Sequence, residues 1–314
     1  MEPNRRDIAR LLAAAGAAAA CPLPALAQAT PAAAIADDDH DNTPSQVGLE
    51  RDASLRMLAP VMINGQGPYQ FLVDTGANRS CLRREVAEAM GLPAGPTVAV
   101  TTVAGRSLKP TVVVDELHVG TRVQRGVKVP LLRMPGDEAT DGILGVDWLK
   151  NRRLLLDFKA RVLEIAAPRH ETNDKNRVIV PARRRSGQLT LVDAESGGRR
   201  ISAMIDSGSE LTLGNSAMRR LVAETTRGSV GPPVRLTMQT VLGETFHGDL
   251  LYVPFMRLGG LTLGNVPVVF AESQVFWLWD LHDKPTVVLG MDLLSEFTAV
   301  ALDFGRSTVR FDIA

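Results

Sequence analysis

The stretch "FLVDTGANRSCL" (residues 71–82) runs three apolar residues, Phe71, Leu72 and Val73, straight into an acid, Asp74, and follows it with Thr75 and Gly76. A carboxylate at the end of a core-bound strand is costly unless it is paired, hydrogen-bonded or neutralised. A second stretch, "AMIDSGSELTL" (203–213), repeats the order: apolar residues, Asp206, Ser207, Gly208, a small residue and a return to apolar. A lone Asp-[Ser/Thr]-Gly arises by chance in roughly one of several chains of this length. Two copies in matched surroundings call for a common origin.

Those surroundings do match. The first copy leads into helical spacing at 84–92, a Gly-tipped hairpin signal at "TTVAGRS" (101–107), and a strand pair around Gly120 and "RGVKVPLL". The second leads into helical spacing at 215–226, "QTVLGET" (239–245), and a pair around Gly259-Gly260 and "GNVPVVF". Each half closes alike: "DGILGVDWLKNRRLLLDFKARVLEI" (141–165) aligns with "TVVLGMDLLSEFTAVALDFGRSTVRF" (286–311), setting Gly145 against Gly290 and Leu156-Asp157-Phe158 against Leu302-Asp303-Phe304. Short β-type runs broken by Asn64-Gly65 and other turn pairs dominate from residue 50 onward, and helical spacing is brief. Asn-Gly suits a type I′ hairpin, whose two central residues both need positive φ. The expected fold is all-β: two homologous lobes related by a pseudo-twofold, at 49–167 and 177–314, joined by the polar linker "PRHETNDKN" (168–176).

This paired arrangement resembles the aspartic peptidase clan, pepsins and retropepsins together, over nearly all of residues 50–314. The resemblance implies two β-barrel lobes that meet with their carboxyls in contact, and a catalytic pair, Asp74 and Asp206. Thr75 and Ser207 would reach across to the opposite loop, and Gly76 and Gly208 would allow the tight turns. Strands carrying Gly145 and Gly290 would run beneath the loops. Ala77 follows the first motif as in retropepsin-like chains; Ser209 follows the second, and its hydroxyl is expected to support the outer oxygen of Asp206, making that acid the more readily ionised. The flap candidates are Ala104-Gly105 and Leu242-Gly243, one hairpin per lobe and neither with the Tyr of pepsin flaps. The activity implied is hydrolysis of protein or peptide substrates by a water held between two carboxyls sharing one proton, with no metal and no cofactor. The alternative is a periplasmic binding protein that keeps this fold without activity.

Composition narrows the rest. Across 314 residues, Lys+Arg and Asp+Glu number 35 each, so no net field favours nucleic acid or an anionic membrane. Residues 1–27 read as an export signal, with a basic start, a short apolar run and Ala25-Leu26-Ala27 at the end. Arg5-Arg6 favours the twin-arginine route over an ordinary secretory signal; lipid attachment at Cys21 ranks third, because Ala18 stands where Leu or Val is wanted. The mature chain is expected to be periplasmic or secreted, monomeric with an internal pseudo-dimer, and without a transmembrane segment. Residues 28–48 read as a flexible leader whose Asp37–Asp41 run is a solvated acidic cluster rather than a cation site. Cys81, the only cysteine after the signal, reads as a buried small hydrophobe rather than a nucleophile. "VFWLWD" (275–280) reads as packing before cleft lining, and "ARRRSG" (182–187) as a solvated hairpin tip.

Overall fold

The turn signals are where the chain reverses. Asn64 and Gly65, with φ of 49° and 75°, join the strands Met57–Ile63 and Gln66–Val73. The computed structural model describes residues 43–52, 56–102, 105–135, 139–149, 151–185, 187–191, 193–226, 231–240 and 243–313, without the side chains of residues 101, 102, 105, 106 and 190. Residues 1–27, read as an export signal, and most of 28–48, read as a leader and including the Asp37–Asp41 run, lie outside them. No helix among the described residues is long and apolar enough to cross a membrane.

The protein is mostly β, with two barrel-like sheets. The first sheet runs Glu50–Arg51, Met57–Ile63, Gln66–Val73, Gly142–Leu144, Cys81–Arg83, Arg122–Leu132, Gly105–Val119, Ala94–Thr102. Met57–Ile63 also pairs with Gly105–Val119, which closes the sheet on itself. The second lobe repeats the central motif. Gln66–Val73 lies parallel to Gly142–Leu144, as Ser202–Ile205 lies parallel to Thr286–Leu289. These crossed parallel pairs are buried on both faces, which is why Phe71-Leu72-Val73 and Val287-Val288-Leu289 are continuous apolar runs rather than alternating ones.

The lobes are joined by a shared sheet ordered Ser45–Gly48, Val162–Ala166, Arg153–Asp157, Ala299–Asp303, Thr308–Asp312, Arg177–Arg185. At its centre Arg153 faces Asp303, Leu155 faces Ala301 and Asp157 faces Ala299. Exchanging the matched halves maps this pairing onto itself, so the pseudo-twofold passes between Leu155 and Ala301. Apolar packing runs without a break from Trp148, Leu154 and Leu156 to Leu302, Phe304 and Phe311. Neither half could be removed without exposing this layer.

One reading of the sequence needs correction here, and others gain detail. The leader reading fails at its end: Ser45–Gly48 is an outer strand of the shared sheet, and the buried Ser45 hydroxyl donates to Val119 O at 2.7 Å and accepts from Thr121 N at 3.0 Å. The polar linker is pinned, because Glu171 takes ion pairs from Arg310 at 2.6 Å and Arg153 at 3.4 Å, both guanidiniums nearly fully buried. The "ARRRSG" segment is the hairpin tip expected, with Arg183 and Arg184 exposed, although it is anchored at its base. Arg185 donates to Asp280 O at 2.6 Å, and Arg184 to Phe304 O. Besides the expected helices, seen at Arg84–Ala89 and Ser216–Thr226, short ones form at Gln274–Leu278 and Met291–Leu294. They are too short to carry a helical period of their own.

Leu154 and Leu302 face each other in the shared sheet with essentially no exposure. Leu154→Ala and Leu302→Ala are each expected to cost about 2–5 kcal/mol in urea unfolding. As direct neighbours, their double variant should depart measurably from additivity.

Candidate active site

Each Asp-[Thr/Ser]-Gly loop leaves a core strand and turns at once, because its first amide is already committed: Asp74 N donates to Leu144 O and Asp206 N to Leu289 O, both at 3.0 Å. The glycines of the closing strands permit the loops to lie against them. A Cβ on Gly145 would stand 2.7 Å from the Arg79 carbonyl carbon, and one on Gly290 2.4 Å from that of Leu211. Both approaches are closer than any side chain tolerates.

The loops then interlock. Thr75 Oγ1 donates to Ile205 O at 3.0 Å and accepts from Ser207 N at 3.1 Å; Ser207 Oγ donates to Val73 O at 2.7 Å and accepts from Thr75 N at 3.2 Å. Both hydroxyls are buried, so each bond replaces water that cannot enter. Across this brace the carboxyls of Asp74 and Asp206 lie close enough for each to shift the other's hold on its proton. A Cβ on Gly76 would lie 2.6 Å from Asp206 Cγ, and one on Gly208 2.4 Å from Asp74 Cγ, so only glycine lets each loop edge meet the opposite acid.

The two half-buried acids are not equivalent. Asp74 Oδ1 accepts from Gly76 N at 2.8 Å and Ala77 N at 2.9 Å, and Asp206 Oδ1 from Gly208 N at 2.9 Å. Burial raises Asp74 above its ordinary 3.8, while the Gly76 amide, the bond from Asp206, the Ala77 amide and the charge of Arg56 pull it part of the way back. Asp206 is held well above 3.8 by burial and then by the charge of Asp74. Two acids so placed resist ionising together, so the pair titrates as a unit that retains a proton above the ordinary carboxylate range. The Ser209 hydroxyl donates to Leu211 O at 2.8 Å rather than to the outer oxygen of Asp206 that it was expected to support.

The flap candidates fall partly outside the described residues, which exclude Ala104 and Leu242. Gly105 pairs with Thr102 at the end of the first hairpin. Gly243, with φ of 82°, sits at the tip between Val234–Gln239 and Thr245–Leu258, and a Cβ there would lie 2.6 Å from Pro135 Cγ of the first lobe. The second hairpin thus spans from its own lobe to the other. The "VFWLWD" stretch divides: Val275, Phe276 and Trp279 are buried in a cluster of the second lobe, whereas Trp277 is 57% exposed and stacks on His282 at 3.6 Å. Cys81 is buried, and burial pushes its thiol up to about 12, which removes thiolate chemistry at ordinary pH.

Sequence reasoning missed a second tier of matched residues. Ser80 Oγ donates to Asp147 Oδ1 at 2.7 Å and accepts from Gly145 N at 3.0 Å; Thr212 Oγ1 donates to Asp292 Oδ1 at 2.7 Å and accepts from Gly290 N at 3.1 Å. These bonds clip each active loop to its closing strand. The signal was present in the repeat, since Ser80 and Thr212 each stand six residues after their acid and Asp147 and Asp292 each two after their glycine. Gln188, also missed, has no such local signature: its Nε2 donates to Gly76 O at 2.7 Å from the other lobe.

Against known families, the chain matches the one described as aspartyl protease, over residues 59–148 and again over 192–293. The chain belongs to the aspartyl protease family. The two matched stretches each contain one acid loop and one closing strand, so the family assignment and the duplication rest on the same residues. A search of curated proteins found no match.

A carboxyl raised on folding binds its proton more tightly in the folded chain than in the unfolded one, so stability falls as pH rises from the ordinary carboxylate range through the raised value. Asp206→Asn, which removes that titration, is therefore expected to be more stable than the parent at neutral pH. The difference should vanish at about pH 3, where both forms are uncharged at this position. Urea unfolding across pH checks it.

Proposed function

We propose that this aspartyl protease family member is an active endopeptidase that hydrolyses protein or peptide substrates at the pair Asp74 and Asp206. The observation that supports the reading is the close approach of two buried carboxyls, both shifted upward, on loops braced by Thr75 and Ser207. Two carboxyls so placed can hold one water between them. Asp74, as carboxylate, takes a proton from that water as its oxygen attacks the peptide carbonyl carbon. Asp206 gives its proton to the carbonyl oxygen, so a neutral gem-diol forms. Collapse returns a proton to the peptide nitrogen, breaks the C–N bond and leaves an acid and an amine, with the pair again sharing one proton. The hairpins ending at Gly105 and at Gly243 would cover the substrate, with lobes at 49–167 and 177–314 each contributing half of the cleft.

Place of action belongs to the same proposal. The basic start, apolar run and Ala25-Leu26-Ala27 end of residues 1–27 support export, with Arg5-Arg6 pointing to the twin-arginine route and a periplasmic or secreted monomer as the product.

Asp74→Asn and Asp206→Asn should each lower kcat/KM on a peptide library by at least about 100-fold, with far-UV circular dichroism and cooperative unfolding retained. A statine-type transition-state mimic should inhibit, and thiol blockers and chelators should not. Substantial cleavage by either single variant overturns the assignment; absence of cleavage by the parent between about pH 4 and 8 leaves a binding protein with this fold.

A further inference from the structure

Gly76 is a point of freedom in the first active loop. The Asp206 carboxyl leaves no room there for a Cβ, so glycine is required, and glycine is also the residue whose backbone turns most freely. The peptide that follows it matters to the site. Its amide, Ala77 N–H, donates to Asp74 Oδ1 at 2.9 Å, beside the 2.8 Å bond from Gly76 N–H. Its carbonyl, Gly76 O, accepts from Gln188 Nε2 at 2.7 Å. The carbonyl and amide of one trans peptide share a plane and point in opposite directions, so whatever holds Gly76 O also aims Ala77 N–H.

The holder belongs to the other lobe. Gln188 stands eighteen residues before Asp206, where the first lobe has Arg56 eighteen before Asp74. It opens Gln188–Leu191, the strand beside the Ser202–Ile205 strand that leads into Asp206. The hairpin behind it is anchored: Gln188 faces Arg185, whose guanidinium donates to the carbonyls of Trp279 and Asp280. A Cβ on Gly187 at its tip would stand 3.2 Å from Asn78 Oδ1, so the hairpin meets the first active loop at neighbouring points. Gln188 is 1% exposed, yet its Oε1 has no hydrogen-bond partner among the described residues. An orphaned buried acceptor costs about 1–3 kcal/mol, so folding alone favours an apolar side chain of similar shape here. What the amide adds over such a side chain is its bond to Gly76 O.

We propose that Gln188 is a positioning residue for Asp74: from the second lobe it pins the Gly76–Ala77 peptide so that two amides converge on one oxygen of the acid. N–H donors aimed at a carboxylate favour its ionised form, so the pair gives up its first proton more readily with Gln188 in place. The inference rests on the proposed peptidase function and adds to it a residue outside both active loops. The titratable and charged neighbours of Asp74 are Asp206 and Glu210 from the opposite loop, Arg79 and Cys81 from its own, and Asp147 beneath it. Arg56, paired with Asp52, precedes the first strand, and Arg185 lies across the hairpin from Gln188. Substitution at Gln188 leaves every one of them in the chain, so a changed titration reports the peptide that Gln188 holds.

The test is the acid limb of the kcat/KM profile on a peptide the parent cleaves. Gln188→Met keeps the bulk and removes the donor, so Asp74 loses the Ala77 amide and the limb should move up by about half to one pH unit, three- to tenfold in proton concentration. Gln188→Asn, shorter by one methylene and out of reach of Gly76 O, should move it in the same direction, and it serves as the test if Gln188→Met does not fold. A limb that moves down, or stays within about 0.2 unit of the parent, overturns the inference, because a merely structural glutamine would change rate or stability but not this pH. If the parent cleaves nothing, the proposed function falls separately, and the titration is read without activity. Isotope-edited NMR of carboxyl-labelled aspartates then follows the pair, its resonances assigned by their loss in Asp74→Asn and Asp206→Asn. The lower of the pair's two apparent pKa values should be higher in Gln188→Met than in the parent, and an equal or smaller value overturns the inference.

Discussion

The rest of the structure depends on four buried hydrogen bonds between two hydroxyl side chains and the backbone of the opposite loop. Thr75 and Ser207 each donate to a carbonyl of the other lobe and each accept an amide from it. Because these groups are shut away from water, a lobe that drew back would strand six polar groups at once, at a cost of about 1–3 kcal/mol apiece. The arrangement fixes the separation of the lobes at their deepest point. Everything that needs two halves, the contact of Asp74 with Asp206 above all, inherits its geometry from this brace.

Holding two acids together is the expensive part, and the fold meets that cost locally. Backbone amides from Gly76, Ala77 and Gly208 point at the carboxyl oxygens, and a retained proton spares the site a second negative charge. Beneath them, Ser80 with Asp147 and Thr212 with Asp292 bind the loops to Gly145 and Gly290. The site is stiff because each loop is tied in three directions: to its own closing strand, to the strand that precedes it, and to the opposite lobe.

Duplication explains the architecture, and divergence explains its asymmetry. The central register, Arg153 to Asp303 and Asp157 to Ala299, preserves the pseudo-twofold. Away from that axis the halves have drifted: Thr75 against Ser207, Ala77 against Ser209, Arg56 against Gln188. A peptide has direction, and two equivalent lobes would meet its two ends identically. Differences of this kind give the two acids unequal surroundings.

Much of this was legible from residues in order. Apolar runs ending in Asp-Thr-Gly and Asp-Ser-Gly, the paired Ile-Leu-Gly and Val-Leu-Gly segments, and Asn-Gly turns carry their meaning locally, through strand burial and backbone conformation, so they declared an all-β duplication before any coordinates. The Ser80–Asp147 and Thr212–Asp292 pairs were readable in principle, since the repeat doubles them. What the chain in sequence could not disclose depends on approach through space. Ser45–Gly48 looked like leader because a sheet edge more than a hundred residues away completes it. Ser209 looked like a partner for Asp206, but its rotamer turned the hydroxyl to Leu211 O. Gln188 reaches the first active loop only after both lobes have closed on each other. The sequence by itself determined which elements form and that they form twice; the tertiary structure alone decided how the two copies meet, and with that how far the two acids are raised, because burial and neighbouring charge exist only once the lobes are packed.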